Sequence, residues 1–210
     1  MGKSISEEEL SRRAEILIQD YRGIEPHFEV MFLHSMLYAS GRSLDSFQRF
    51  RRITDPRADA DYAVSVIQEA VGHAAALSRF FWPASGRKRE SSFLREARIL
   101  RGQYLREAFV ISDDSPLANR SLRNAWEHFD ERLDAYQLEV NGGVLLPGCL
   151  IESHGIADDP VGYTFKVLDP EAECLVLLGV RYFYGEIRDE VARVHRIAKA
   201  AKGKSGRLLP

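Results

Sequence analysis

From Ser6 to about Val140 apolar residues return at steps of three and four, and turn-forming residues fall between these segments, a pattern that predicts an all-helical region. A first helix carries the stripe Leu10, Ala14, Leu17, Ile18 and Tyr21 and stops at Gly23, with Pro26 just beyond. A second, from about Pro26 to Ala39, contains FEVMFLHSMLYA, apolar nearly all round as a central buried helix must be. A shorter third, SLDSFQRFRRI, ends before Asp55-Pro56, which suit the cap and first turn of a fourth. That fourth helix, about 59–81, sets Tyr62, Val66, Ala70, His73, Leu77 and Phe80 on one side and stops at Trp82-Pro83. The fifth, about 88–109, is basic outside with Phe93, Ala97, Leu100, Tyr104 and Ala108 inside. Ser115 as N-cap and Pro116 in the first turn open a sixth, which can run to Val140 before Asn141-Gly142-Gly143 stops it. Long helices with short connections imply an antiparallel bundle.

After Gly143 the pattern changes. VLLPGCLIE and YTFKVLDPEAECLVLLGV have the apolar density of short strands, and Asp169-Pro170-Glu171 reads as a type I turn joining a hairpin, about 163–168 with 173–179. A final helix, about 181–201, precedes a tail, KGKSGRLLP, expected to fray. The expected fold is therefore mainly α: a multi-helix bundle over 1–140, with a β-hairpin and C-terminal helix over 141–210 appended to it. The strands are too few to bury themselves alone, so they must pack on the bundle or on a second subunit.

A chain of 210 residues that is 45% hydrophobic can bury a core without disulfides or a metal. Cys149 and Cys174 form no CxxC or pairing pattern, which fits a reducing cytoplasm and predicts no structural zinc. The start, MGKSISEEELSRR, is polar, and no run of about 18 apolar residues occurs, so a soluble cytoplasmic protein without a membrane partner is expected. A net charge of −2 argues against a protein that coats nucleic acid, but not against an enzyme that touches RNA locally. Two basic stretches, 87–106 and 193–207, read first as solvated faces and second as RNA-contacting ones. His73 falls on the apolar stripe of its helix and reads as a core histidine. Arg79 beside Phe80-Phe81-Trp82 could stack bases, although a hydrophobic plug at a helix end is the plainer reading. No GxxxxGK[ST], GxGxxG or GxSxG loop is present, and the remaining histidines lack metal-site spacing, so no cofactor or metal is implied.

The chemistry concentrates in SLRNAWEHFDERLD, residues 121–134. An Arg followed five positions later by a His is by itself uninformative, since Arg22 and His27 repeat it across a Gly and a Pro where no helix fixes their relation. On a continuous helix, however, Leu122, Trp126, Phe129, Leu133 and Tyr136 share one core-facing stripe. Asn124 and His128 then lie together on the outer surface, with Arg123 on the other flank. A neutral imidazole can take a proton from a ribose 2′-hydroxyl or give one to a leaving 5′-oxygen, a guanidinium can neutralise phosphoryl charge, and an amide can orient either. The plain alternative is a helix surface held by ion pairs such as Arg123 with Glu127, each worth about 0.3–0.5 kcal/mol.

A helical bundle whose last long helix carries R-N-x-x-x-H resembles the HEPN superfamily, and the specific part of the match is RNAWEH, 123–128. The resemblance implies a metal-independent endoribonuclease acting as a homodimer with the motifs of both copies at the interface. Arg123 and His128 would be its catalytic pair and Asn124 the supporting polar residue. It also implies RNA as substrate and, for some members, a toxin or antiviral role under an antitoxin or other regulatory partner. Glu127, Asp130, Glu131 and Asp134 make the motif helix acidic, and the basic 87–106 helix is the neighbour expected to offset them. Two other classes remain open: a non-catalytic helical module that binds a partner protein or nucleic acid, and a structural dimerisation domain that swaps the 163–179 hairpin.

Overall fold

The computed structural model describes residues 5–84, 86, 90–139, 142–159, 161–204 and 207–208. The expected start of the fifth helix at 88, the stop at Val140 and Asn141, and much of the tail after Lys204 lie outside them. Among the described residues the chain is mainly helical, with α1 Glu7–Tyr21, α2 Glu29–Arg51, α3 Ala60–Phe81, α4 Ser92–Phe109, α5 Ser121–Glu127, α6 Phe129–Glu139 and α7 Gly185–Lys204. The strands are β1 Val144–Ile151, β2 Gly162–Asp169, β3 Cys174–Leu177 and β4 Val180–Phe183. No helix among these residues is long and apolar enough to cross a membrane.

The side chain of Ser6 accepts from Glu9 N (3.2 Å) to cap α1, and Glu7, Glu8 and Glu9 sit in the first turn, where the helix dipole favours them. The helix ends as expected: Gly23, at φ 88°, donates back to Leu17 O (2.8 Å). A β-carbon there would lie 2.3 Å from Ala97 O, so only glycine lets the end of α1 rest on α4.

The second and third expected helices are one. The expected end near Ala39 is absent, and α2 continues because Leu33, Met36, Ala39 and Phe47 keep one buried stripe running past it. Its serines are buried without being orphaned: Ser40 Oγ bonds Met36 O (2.7 Å) and His195 Nδ1 (2.8 Å), Ser43 Oγ donates to Ala70 O (2.8 Å), and Ser46 Oγ donates to Arg42 O (3.0 Å). These small side chains let α3 and α7 pack closely on α2.

Asp59 caps α3 through Tyr62 N (2.9 Å). The buried face of α3 runs through Ala63, Ile67, Ala70, Ala74, Leu77 and Phe81. It is rotated from the expected stripe, so Tyr62 is exposed and His73 is half-buried, 3.9 Å from Glu69, not in the core.

The sixth expected helix is corrected more substantially. Ser115 is buried, donates to Glu190 Oε1 (3.0 Å) and accepts from Leu117 N, so it closes a turn instead of capping a long helix. Ser78 Oγ donates to Leu117 O (2.6 Å), pinning that turn to α3. Asn119 Oδ1 takes Ser121 N (2.9 Å), and only then does α5 begin.

The sheet has the order β1-β2-β3-β4, with β1 parallel to β2 and the other pairs antiparallel. The expected hairpin is present: Asp169 pairs with Cys174 across the Pro170–Glu173 turn. Alternation then sorts the faces. Leu168, Leu175 and Leu177 face a core shared with Phe47, Ile67, Val71 and Leu122, whereas Val167, Cys174 and Val176 face a smaller cluster under the 3-10 turn His154–Asp158. The sheet thus packs on the bundle. Its last strand occupies the first residues of the expected final helix, which begins only at Gly185. From α7, Ile187, Val191, Val194 and Ala198 complete the main core with Leu33, Met36, Leu77, Phe81, Leu105 and Phe109.

Glu29, the first residue of α2, is 3% exposed. Its carboxylate accepts from Tyr104 Oη (2.9 Å), Arg207 Nε (2.7 Å) and Leu208 N (3.1 Å), which meets the cost of burying a charge by closing every direction with a donor.

Candidate functional site

Residues 121–139 form two helices that turn at His128, whose φ −117° and ψ 38° are not helical. Hydrogen bonds persist on both sides, His128 N to Asn124 O (3.0 Å) and Arg132 N to His128 O (3.1 Å), so the chain is bent without being unravelled. The two halves follow different docking surfaces. Leu122 and Ala125 sink into the core beside α3. Phe129 instead meets Phe165 of β2 edge-on (5.5 Å) and Arg132 donates to Tyr182 Oη (2.8 Å) on β4. Lys166 Nζ lies 5.2, 4.9 and 4.7 Å from the rings of Trp126, Phe129 and Phe165 and ties the bend to the sheet.

The expected apolar stripe therefore holds only in its first part. Leu122, Trp126 and Phe129 pack on the core, but Leu133 is 41% exposed, and Tyr136 meets Tyr163 at the edge of the sheet instead of entering it. No residue of α6 is buried. Leu133 and Tyr136 line an apolar groove of about 430 Å³ with Leu145, Leu146 and Phe165.

The three motif residues are close in sequence but engage different partners. Arg123 donates from Nε (2.9 Å) and Nη2 (2.8 Å) to Glu127 Oε2, the ion pair anticipated from the spacing. The other Glu127 oxygen accepts from Arg79 Nη2 of α3 (3.3 Å). Arg120, tethered to Trp82 O, completes this flank, and burial followed by the positive charges of Arg123 and Arg79 lowers its pKa from the usual arginine value. On the opposite flank, Asn124 is exposed, and the His128 side chain, 55% exposed, bonds Glu131 Oε1 through Nδ1 (3.2 Å). Arg123 and His128 share no hydrogen bond among the described residues. A single copy thus offers an accessible imidazole on one side and an arginine cluster on the other.

Two expectations about the surroundings change. The basic helix α4 does not flank the motif but packs on α1 and α3, because the turn anchored at Ser78 and Leu117 carries the chain across to α3 before α5 begins. The arginine beside α5 is Arg79, whose proximity only the tertiary fold establishes. The aromatic run next to it is a plug: Phe81 is fully buried and Phe80 and Trp82 pack against the same core.

A second constellation escaped the sequence reading because its partners lie far apart along the chain. His154 Nδ1 bonds Asp169 Oδ2 (2.7 Å) at the carboxyl ends of the parallel strands β1 and β2, beside a groove of about 690 Å³ that Arg57 and Glu152 also line. Burial alone would raise the Asp169 pKa, but hydrogen bonds from Ala172 N, His154 N and the His154 ring outweigh it and hold it at about 2. These bonds also fix the Asp169–Glu171 turn and the start of the 3-10 turn, which is sufficient reason for the pair. No group of three or more His, Cys, Asp or Glu suited to a metal occurs among the described residues. Compared with protein-family models, curated proteins and solved structures, the chain matches none.

Proposed function

We propose that this chain is a metal-independent endoribonuclease of HEPN type, with RNA as its substrate. His128 acts as general base or acid, Arg123 neutralises charge on the phosphoryl oxygens, and Asn124 orients one of them. The observation that carries this reading is the accessible imidazole at the α5–α6 bend on a segment that also carries Arg123 of the Arg79, Arg120 and Arg123 cluster. In the reaction His128 removes the 2′-hydroxyl proton, the 2′-oxygen attacks phosphorus, and the 5′-oxygen leaves with a proton, giving a 2′,3′-cyclic phosphate and a 5′-hydroxyl. One copy supplies one histidine, and a second copy in a homodimer supplies the other, an isologous pairing that the uncovered apolar side of α6 supports. A role as a toxin or antiviral effector held in check by a regulatory partner in the cytoplasm follows from the same proposal.

The test is cleavage of end-labelled single-stranded RNA in excess chelator by the wild type, His128→Ala and Arg123→Ala. We expect wild-type cleavage with the cyclic-phosphate product and a loss of about 10²–10⁴ in each variant; cleavage that persists in both, or that chelation abolishes, overturns the mechanism. Growth arrest of an expression host, relieved by His128→Ala, is the cellular counterpart. A second reading, a non-catalytic module that binds a partner, is favoured by one observation: Glu131 engages the imidazole, and Asp130 and Asp134 extend the acidic surface around it. Unchanged RNA over the full assay would select it.

A further inference from the structure

We propose that the groove between α3 and α5 is a phosphodiester-binding track and that Arg79, together with Arg123, holds a backbone phosphate in it; the identity of the polyanion as RNA rests on the nuclease reading above. The floor is made by Gly72, Ala75 and Ala76, which with Arg79 recur at i, i+3, i+4 and i+7 and so form one face of α3. Arg123 and Trp126 of α5 make the opposite wall, enclosing about 280 Å³. A β-carbon on Gly72 would meet nothing within 4 Å, so the floor stands clear of the wall.

The charge arrangement in this groove is that of an anion site. Arg79 and Arg123 share a single carboxylate, Glu127, whose two oxygens each engage a different guanidinium, and the positive charge of Arg120 lies close to both arginines. Two oxygens of a phosphodiester match the same pair of donors, and guanidinium groups hold phosphate oxygens through directional, charge-assisted hydrogen bonds. The Arg79 side chain is 56% exposed and Glu127 43%, so the carboxylate can swing aside without unpacking the core. The track lies on the Arg123 flank, away from His128. A strand seated in it reaches the imidazole only by crossing the α5–α6 bend, or meets the imidazole of a second copy.

Binding is measured by fluorescence anisotropy with a labelled single-stranded 2′-O-methyl oligonucleotide, which cannot be cut by 2′-hydroxyl attack, over a range of salt. Arg79→Ala should weaken binding by about 5- to 10-fold at low salt and reduce the slope of log affinity against log salt by about 0.7, the loss of one single-strand phosphate contact. Arg79→Lys should retain the slope and part of the affinity. Glu127→Gln removes the competing carboxylate and should tighten binding about 2- to 5-fold, a gain that a misfolded variant cannot mimic. Arg95→Ala, on the exposed surface of α4, should leave both quantities unchanged. Unaltered affinity and slope in Arg79→Ala, or an equal loss in Arg95→Ala, overturns the track. If wild type binds through Arg79 but leaves unmodified RNA uncut, the nuclease reading fails and the track stands. If His128-dependent cleavage is found with binding insensitive to Arg79, the track fails alone.

Discussion

Val110 closes α4 at φ 51°, in the left-handed region that a β-branched side chain disfavours, and it is 80% exposed. Nothing in its packing offsets that strain. Val110→Gly should therefore raise stability by about 0.5–1 kcal/mol, read as a higher denaturant midpoint with unchanged slope. Asp169 gives a prediction of opposite sign. Its folded pKa, about 2, lies below the ordinary carboxylate value of 3.8, so ionised Asp169 favours the folded state at neutral pH. That contribution is complete above about pH 4 and is lost as pH falls toward 2, on the order of 2 kcal/mol in all. Asp169→Asn should lower stability at pH 7 and flatten the acid limb between those values, as followed by urea melts at stepped pH. Neither residue stands out in the sequence. A left-handed valine depends on how α4 meets its following turn, and the acidity of Asp169 depends on His154, which lies on the far side of β2.

At the scale of elements, local signals were legible wherever a cap or a glycine governs the outcome. Ser6 and Gly23 mark real boundaries and the Asp169–Glu171 turn joins a real hairpin, whereas Asp55-Pro56 open a 3-10 turn and it is Asp59 that caps α3. Signals failed where packing overrides propensity. Ser40 and Gly41 lie inside α2 because their small side chains are what its neighbours require, and Ser115, which looks like a cap, is spent on Glu190. The motif helix is the instructive case. Its periodicity fits one long helix, yet the chain bends at His128, where Trp126 and Phe129 still share one core but Phe129 and Arg132 add contacts to the sheet. Spacing therefore singled out Arg123, Asn124 and His128 as candidates, while Arg79, noted only for base stacking, is brought to Glu127 beside Arg123 by the tertiary fold. One consequence concerns α6, which buries no residue and exposes 80% of Leu138. Its amides should exchange far faster than those of α3 at low protein concentration. If a second copy covers this helix, protection should rise with concentration in wild type and not in Leu138→Lys, as read by hydrogen exchange with mass spectrometry.

Taken as a whole, the molecule holds two cores at opposite ends of the α2–α3 pair, one completed by α7 and one by the sheet. Neither cysteine has a role in joining them. Burial foremost, with the neighbouring Asp61 adding to it, pushes the Cys149 thiol up to about 12, and burial also raises Cys174. Both should therefore resist alkylation at pH 8 in the folded protein and react promptly in denaturant, which mass spectrometry of trapped samples checks directly. The Glu29 clamp extends the same whole-chain logic to time. Its donors Arg207 and Leu208 are made 178 and 179 positions after it, and the α7 residues that seal the main core also come late. During synthesis the Glu29 carboxylate therefore gains its three donors in two stages, Tyr104 first and Arg207 with Leu208 only after about a hundred further residues. Contacts of such long range slow the search for the folded state. A nascent chain that already contains RNAWEH thus still lacks the α7 residues that complete the main core, so the bundle that carries the motif is finished only after the motif itself has been made.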